Sequence, residues 1–258
     1  MHFKTINKYR SLVGELVSRD LKTKYRRSIL GFIWSILNPL LMMIILTVVF
    51  TNIFGYTDNT FPIYVLSGQI VFSFFSDSTS MAMSSVVDAS ALIRKVYIPK
   101  YIFPISRVIS SFVNLTFSLV AVVIVMFVLK IHVTPSILFF PIPLIYVFLF
   151  SIGIGLILSS IAVYFRDMIH LYGVLLTALM YVSAIFYKAE DIINKPFIGF
   201  LLKMNPIWHF IDMFRNAILF GKIPNIHDNF VCVGFITVSI LMGSIVFYKA
   251  QDKFILYI

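Results

Sequence analysis

Asp77 stands in a run of hydroxyl residues, Ser76, Ser78, Thr79 and Ser80, inside an otherwise apolar segment. A carboxylate is costly to hold in hydrocarbon, so such a position is by default a candidate functional site. Two chemistries are open to it. One is a proton or cation relay; the other is a structural or path-lining role with the hydroxyls as caps. A relay usually needs several such groups, and this chain offers one, which favours the second. The other chemically distinctive set is basic: Lys22, Lys24, Arg26 and Arg27 cluster just ahead of the first long apolar block. A cluster of this kind attracts anions, and equally it sets topology and binds anionic lipid.

Residues for covalent catalysis are not assembled. The five histidines, His2, His132, His170, His209 and His227, include no i,i+4 pair, and Cys232 is the only cysteine. Neither a zinc site nor a disulfide is expected. No Ser-His-Asp set or paired carboxylates occur at one depth. Gly221-Lys222 is followed by Ile223 and lacks the upstream glycine of a phosphate-cradling loop. The chain is thus expected to have no catalytic residue, metal or cofactor of its own.

The elements that position these groups are built for lipid. Of the 258 residues, 60% are hydrophobic and 12% charged, against roughly 25% charged in soluble domains. A bilayer core takes ~20 apolar residues per helix, and backbone in lipid must close its own hydrogen bonds. The sequence therefore predicts an all-α polytopic membrane protein with six transmembrane helices near 29–54, 61–87, 105–129, 137–165, 168–187 and 230–248. These fill one membrane domain over 29–258, with no room for a second soluble domain. Residues 1–28 lack the apolar core of a cleavable signal and read as a retained cytoplasmic segment. Six spans put both termini on one side. That side receives 15 Lys/Arg, and the other receives six: Lys130, Lys188, Lys195, Lys203, Arg215 and Lys222. The positive-inside rule places both termini in the cytoplasm. The net charge of +10 is then a matter of topology, and nucleic acid is not an expected partner.

Three segments outside the spans carry patterns. In 6–25, Ile6, Tyr9, Leu12, Val13, Leu16, Val17 and Leu21 recur at helical steps, predicting an amphipathic helix in the inner headgroup layer. Between spans two and three, 89–97 can form about two turns before Pro99 stops it. Its apolar side is Ala91, Leu92, Val96 and Tyr97, and its basic side Arg94 and Lys95; such a helix can dock in a partner's groove, or the segment is a plain basic loop. In the outer loop, Asn205 suits an N-cap, Pro206 the first helical position and Gly221 the stop. Helix 206–220 would be roughly 22 Å long, too short to cross. With the apolar piece 195–203 it reads either as a re-entrant hairpin, buried in protein or lining a cavity, or as a surface-lying anchor. Asp212 and Arg215 are expected on its watery side.

The chain holds 27 Phe and 13 Tyr. Phe72, Phe74, Phe75, Phe186, Tyr187, Trp208, Phe210 and Phe214 are candidates to line a pathway or gate, because flat rings slide against sugars; packing is the alternative for each. Ser151, Gly155 and Ser159 make a small-residue ladder that permits close helix contact, within the chain or between copies.

Residues 18–55, SRDLKTKYRRSILGFIWSILNPLLMMIILTVVFTNIFG, resemble the first segment of type-2 ABC transporter permeases that export bacterial polysaccharides. The family's basic-x-basic-Tyr, Leu-Gly-x-x-Trp and Pro pattern is matched by Lys22, Lys24, Tyr25, Leu30, Gly31, Trp34 and Pro39. YFRD at 164–167 resembles the turn before span five, and Asn205, Pro206, Arg215, Gly221 and Pro224 resemble the outer segment. The departure is SAIFY at 183–187, where many members have Thr-Pro-Ile-x-Tyr; Ala184 replaces the proline.

The resemblance implies a bacterial inner-membrane permease working as a homodimer with two copies of a separate ATP-binding subunit, which carries the ATP and Mg. It implies a lipid-linked polysaccharide as substrate: O antigen, capsule or teichoic acid. It makes 1–28 the interface helix, 89–97 the coupling helix and 195–220 the outer gate. Lys22, Lys24, Arg26 and Arg27 become residues that receive the lipid's pyrophosphate. A self-contained secondary transporter would want inverted repeats and midplane ion ligands. A membrane enzyme on lipid-linked sugars would want clustered catalytic groups.

Overall fold

A computed structural model describes residues 9–26, 28–55, 58–189 and 195–257, and among them the chain is helical with no strand. The helices are α1 Arg10–Tyr25, α2 Trp34–Phe54, α3 Phe61–Asp88, α4 Ser90–Ile93, α5 Ile102–Val128, α6 Pro141–Tyr164, α7 Met168–Val182, α8 Pro196–Met204, α9 Pro206–Ile218, α10 Ile226–Ala250 and α11 Phe254–Tyr257. Short 3₁₀ turns at Gly31–Ile33 and Pro135–Phe139 lead into α2 and α6.

Among the described residues, five helical stretches are long and apolar enough to cross a membrane: Gly31–Ile53, Phe61–Asp88, Ile102–Val128, Pro135–Tyr164 and Ile226–Tyr257. The expected fifth span, 168–187, is shorter than predicted. Helix α7 has 15 residues, or roughly 22 Å at 1.5 Å per residue, and it ends at Val182. The chain then turns through Ala184 at φ 50°, a left-handed conformation closed to proline, whose ring fixes φ near −65°. The backbone break therefore falls where the resembling permeases carry proline, but by a different geometry.

α3 is the centre of the bundle. It packs against α2, α5, α6, α7 and α9, and 61% of its most apolar window is buried against 11% for the α2 stretch. Small residues let neighbours approach: Ser67, Gly68, Ser78, Thr79, Ala82 and Ser85 are all buried. The hydroxyls are satisfied within the helix, Ser67 donating to Tyr64 O at 2.8 Å, Ser78 to Phe75 O at 3.0 Å and Ser85 to Ala82 O at 2.6 Å. Back-bonding of this kind lets a polar stripe face protein at low cost.

The small-residue ladder on α6 works within the chain. A Cβ on Gly155 would lie 2.8 Å from Ala82 Cβ on α3. On the other face of α6, Gly153 meets α10 backbone to backbone: a Cβ there would sit 2.4 Å from Ser239 C, and one on Gly243 2.3 Å from Gly153 O.

At the end where α1, α4 and the chain's last turn meet, a second apolar cluster joins Leu16, Val86, Ile93, Ile98, Phe103, Val163, Phe247 and Phe254. α1 lies along α5, with Tyr9, Leu12 and Val13 half-buried against this cluster. The expected helix 6–25 is thus seen over Arg10–Tyr25, and Ile6 lies outside the described residues, as does Arg27. The expected two-turn helix at 89–97 is a single turn, α4, prolonged by hydrogen bonds from Lys95 N and Val96 N to Leu92 O.

The α6–α10 crossing gives the first prediction. Gly243→Val is expected to destabilise by about 1–3 kcal/mol, the usual penalty of overpacking. Gly234→Ala in the same helix meets open space and should leave stability unchanged. Thermal unfolding in detergent compares them; equal midpoints would show that the crossing is not close.

Candidate functional site

Four elements converge on a polar cavity of about 310 Å³. The last turn of α1 contributes Lys24 and Tyr25, the start of α2 Trp34, Ser35 and Asn38, α3 Gln69, Ser73 and Asp77, and α5 Ser111, Asn114 and Ser118. The spacings 69/73/77 and 111/114/118 are i,i+4 and i,i+3 steps, so each helix turns one polar stripe toward the cavity. Lys24 Nζ lies 3.5 Å from Asp77 Oδ2. Tyr25 OH, Ser35 Oγ and Asn114 Oδ1 form a close triangle, 2.5 Å from Tyr25 and 2.8 Å from Ser35 to the amide oxygen, in which the two hydroxyl protons serve two of the three contacts and the amide oxygen only accepts. Ser118 Oγ donates to Ser35 O at 3.0 Å. Gln69 Oε1 is buried without a partner.

The depth of this cavity gives it meaning. Asp77 is 11 residues before Asp88 at the end of α3, roughly 16 Å along the helix. It therefore lies in the interior of a helix long and apolar enough to cross a membrane. Yet the side chains of Lys24 and Asp77 are 43% and 51% exposed. An ion pair so placed cannot face lipid, so the cavity opens to water or to protein. Its amides, hydroxyls and three aromatic rings, Tyr25, Trp34 and Phe74, suit a neutral, hydroxyl-rich ligand, with Lys24 and Asp77 supplying charge.

The structure brings Lys24 and Asp77 together, and of the aromatic candidates it leaves Phe74 alone beside them. Phe72, Phe75, Phe210 and Phe214 are core residues; Phe75 stacks on Phe150 at 5.9 Å and Phe150 meets Phe210 at 5.6 Å. Phe75 and Asp77 differ by two positions, roughly 200° round a helix, so both cannot face one path. Phe74 borders the cavity from a buried position. Tyr187 and Trp208 lie half-buried at the other end of the bundle, Tyr187 OH hydrogen-bonded to Tyr181 O and Trp208 Nε1 buried without a partner. Lys22 and Arg26 are exposed on α1 and its last turn. On the α4 segment, Ile93 is buried as an anchor, while Val96 and Tyr97 are 51% and 93% exposed; Ala91, Arg94 and Lys95 are exposed and Leu92 half-buried.

The residue most misjudged by sequence is Arg215. Expected to face water, it is 1% exposed. Its Nε and Nη2 donate to Tyr64 O at 3.2 and 3.0 Å, Nη1 to Ala184 O at 2.9 Å and Nη2 to Ile185 O at 3.2 Å. The guanidinium also stands 3.4 Å from the centre of the Tyr64 ring, a cation–π contact. A Cβ on Gly68 would lie 2.5 Å from Nη2, so glycine is what admits the side chain. Asn205 ties the same region: Oδ1 accepts from Ile207 N at 3.0 Å as the α9 cap, and Nδ2 donates to Ser183 Oγ at 2.8 Å. The sequence did carry a signal, since Arg215 sits four after Ile211 and three before Ile218, on the apolar stripe of α9. Asp212, on the neighbouring face, is half-buried and accepts from Asn216 at 2.8 Å. In the nearby loop, the Thr60 backbone N–H, the Thr60 hydroxyl and Lys188 hold the Asp58 carboxyl below its usual range.

The long apolar helices, with the short α7 and the α8–α9 hairpin packed beside them, form a multi-pass membrane domain. The ABC-2 type transporter profile matches residues 11–219, and the chain belongs to that family. It is 26% identical over 246 residues to the O-antigen export system permease protein RfbA of Myxococcus xanthus, covering 95% of each chain. It is also 26% identical over 258 residues to the polysialic acid transport protein KpsM of Escherichia coli, covering 93% of each. A third relative is the capsule polysaccharide export inner-membrane protein CtrC of Neisseria meningitidis, 23% identical over 226 residues, 84% of this chain and 82% of the relative.

Two predictions follow the geometry. In a Cys232→Ser background, Asp77→Cys should react with a charged, membrane-impermeant maleimide in inside-out vesicles, while Ile45→Cys, on the exposed apolar face of α2, should not; equal rates would remove the aqueous opening. Arg215→Met should destabilise by roughly 1–3 kcal/mol for each carbonyl left unpaired, and Arg215→Lys should rescue poorly because ammonium lacks the planar fork. Gly68→Ala should cost less in the Arg215→Met background than alone, a coupling read by double-mutant thermal unfolding; additive effects would mean the two do not meet.

Proposed function

We propose that this chain is the permease subunit of an ABC exporter that moves a lipid-linked polysaccharide, O antigen or capsule, from the cytoplasm across the bacterial inner membrane. The observation that carries this is the similarity along nearly the whole chain to permeases named for O-antigen, polysialic acid and capsule export. Two copies of the chain form the membrane unit, and two copies of a separate subunit bind ATP and Mg and drive it. α7 completes a six-helix plan by crossing with the α8–α9 hairpin, which acts as a re-entrant outer gate. Residues 1–28, the N-terminal interface helix, and 29–258, the membrane domain, form the two parts of the chain. Both termini lie in the cytoplasm; with Arg215 buried in protein, the lysines facing water on the outer side number five, which strengthens the charge asymmetry.

In this reading the cavity beside Lys24 and Asp77 is part of the sugar path, supported by its polar lining at membrane depth. Lys22, Lys24, Arg26 and Arg27 draw in the anionic lipid head. The α4 segment couples to the ATPase: its exposed Val96 and Tyr97, beside Leu92, Arg94 and Lys95, form an apolar patch with a basic border at the cytoplasmic face, the form of a helix that docks in a groove.

The test is co-purification with the cognate ATPase and measurement of its hydrolysis. The chain alone should hydrolyse no ATP. Leu92→Glu with Tyr97→Glu should weaken association by about 2 kcal/mol or more, as at an interface hot spot, while the membrane fold persists. Normal association and export by that double variant would sink the coupling assignment; hydrolysis by the isolated chain would sink the division of labour.

A further inference from the structure

One guanidinium at the basic end of the bundle is shared by two helices that otherwise have separate tasks. Asp20 on α1 has a side chain only 3% exposed, and its Oδ1 lies 3.0 Å from Arg107 Nη1 on α5. Ser110 Oγ donates to Asp20 Oδ2 at 3.3 Å, and Arg19 Nη2 reaches Oδ1 at 3.2 Å. The other arm of Arg107 turns outward: Nη2 lies 3.4 Å from Asp88 Oδ2, which also accepts from Ser84 Oγ at 2.9 Å.

Each placement runs against local preference. Asp20 is a carboxylate buried on a helix surface, which is strongly unfavourable unless paired. Asp88 is the last residue of α3, where the helix dipole disfavours a negative charge. Neither is needed to form its own helix. Both make sense as ligands of Arg107. Asp88 is followed directly by the α4 segment. Asp20 is one turn from Lys24, whose ammonium meets Asp77 in the cavity wall. The cleft between these groups, about 460 Å³, is lined by Arg19, Asp20, Thr23, Lys24, Asp88 and Arg107 among others, so the link has room to shift.

We infer that Arg107 is a positioning residue that joins the ATPase-facing turn to the wall of the polar cavity. The path runs from Asp88 through Arg107 to Asp20, then along one turn of α1 to Lys24 and Asp77. Displacing the α4 segment moves the end of α3 and, through the shared guanidinium, the last turn of α1 that carries Lys24 and Tyr25. The cavity's shape is thereby tied to the state of the ATPase. This rests on the reading of α4 as the ATPase contact.

The experiment uses the complex with its cognate ATPase in lipid nanodiscs, with Cys232→Ser and Ser73→Cys as a reporter at the cavity. The rate of Ser73→Cys labelling by a water-soluble maleimide is compared without nucleotide and with ATP plus orthovanadate. The parent is expected to change rate by about fivefold or more, the low end of ordinary coupling between sites. Asp88→Ala, at a half-exposed residue whose loss leaves the fold intact, should make the two rates equal while ATP hydrolysis continues. Asp20→Asn combined with Arg107→Gln, which removes the buried charges together, should do the same. A merely structural role would leave the nucleotide response in place. The link is overturned if the parent's rate ignores nucleotide, or if Asp88→Ala keeps the parent's response. Failure of the α4 reading shows differently: the ATPase would still bind after Leu92→Glu with Tyr97→Glu, whatever the labelling does.

Discussion

A guanidinium buried to 1% exposure must find enough negative potential inside the protein to replace water, because an unpaired charge in a low dielectric is not tolerated. Arg215 finds it in backbone carbonyls. For Ala184 O and Ile185 O to be free, α7 has to stop before them; a continued helix would have used both. Gly68 has to lack a side chain, and the Tyr64 ring has to lie flat beneath the cation. The negative end of the α7 dipole adds to the attraction. Three features that look separate, a short fifth helix, a glycine in the central helix and a hairpin drawn into the bundle, are consequences of accommodating one side chain.

The opposite end is held by different means. There the charges pair with side chains: Lys24 with Asp77, and Arg107 with Asp20 and Asp88. The Lys24–Asp77 and Arg107–Asp88 pairs are partly exposed, worth only ~0–1 kcal/mol each, and can exchange partners at little cost, whereas the buried Asp20 stays tied to Arg107. Backbone carbonyls fixed by a helix end cannot be exchanged. Arg215 is thus locked by geometry, while the Lys24–Asp77 and Arg107–Asp88 contacts at the other end are adjustable. The end with the adjustable contacts also carries the exposed turn, the amphipathic helix and the polar cavity, all of which a driven transporter would need to move.

Much of this was legible in the chain. Apolar blocks located the long helices, and Asn205, Pro206 and Gly221 marked α9 to within two residues, because cap and stop signals act locally. Asp77 and Lys24 were each singled out, but for different reasons, and nothing in sequence said that they meet; α1 brings them together by packing along α5. The length of α7 was overestimated because 183–187 is apolar enough to read as span, while its termination is imposed by Arg215 from 31 residues away. Arg215 itself was misread because a charge was weighed above the helical stripe on which it sits. The stripe of Gln69, Ser73 and Asp77 went unnoticed for the opposite reason: single polar residues in an apolar helix carry weight only when their faces are compared. The aromatics fared worst, since a phenylalanine that packs and one that lines a path have the same sequence signature.

Orientation in the bilayer can be argued from the two faces that the fold leaves uncovered. Along α2, Ile44, Ile45, Val48 and Ile53 are exposed and uniformly apolar, and α2 packs mainly along its α3 and α5 side. That surface is compatible with lipid tails. Beside it, the same helix begins at the cavity with Trp34, Ser35 and Asn38, next to an ion pair that lipid cannot solvate. A boundary between hydrocarbon and a polar space therefore runs along α2, with Pro39 inside the helix at the turn where the lining changes. Proline frees a backbone carbonyl one turn earlier, at Ser35, and Ser118 supplies a hydrogen bond to that oxygen. The helix that separates lipid from the cavity is thus weakened at the level where a ligand with a lipid tail and a polar head would have to pass between them, and it is braced there by a hydroxyl from α5.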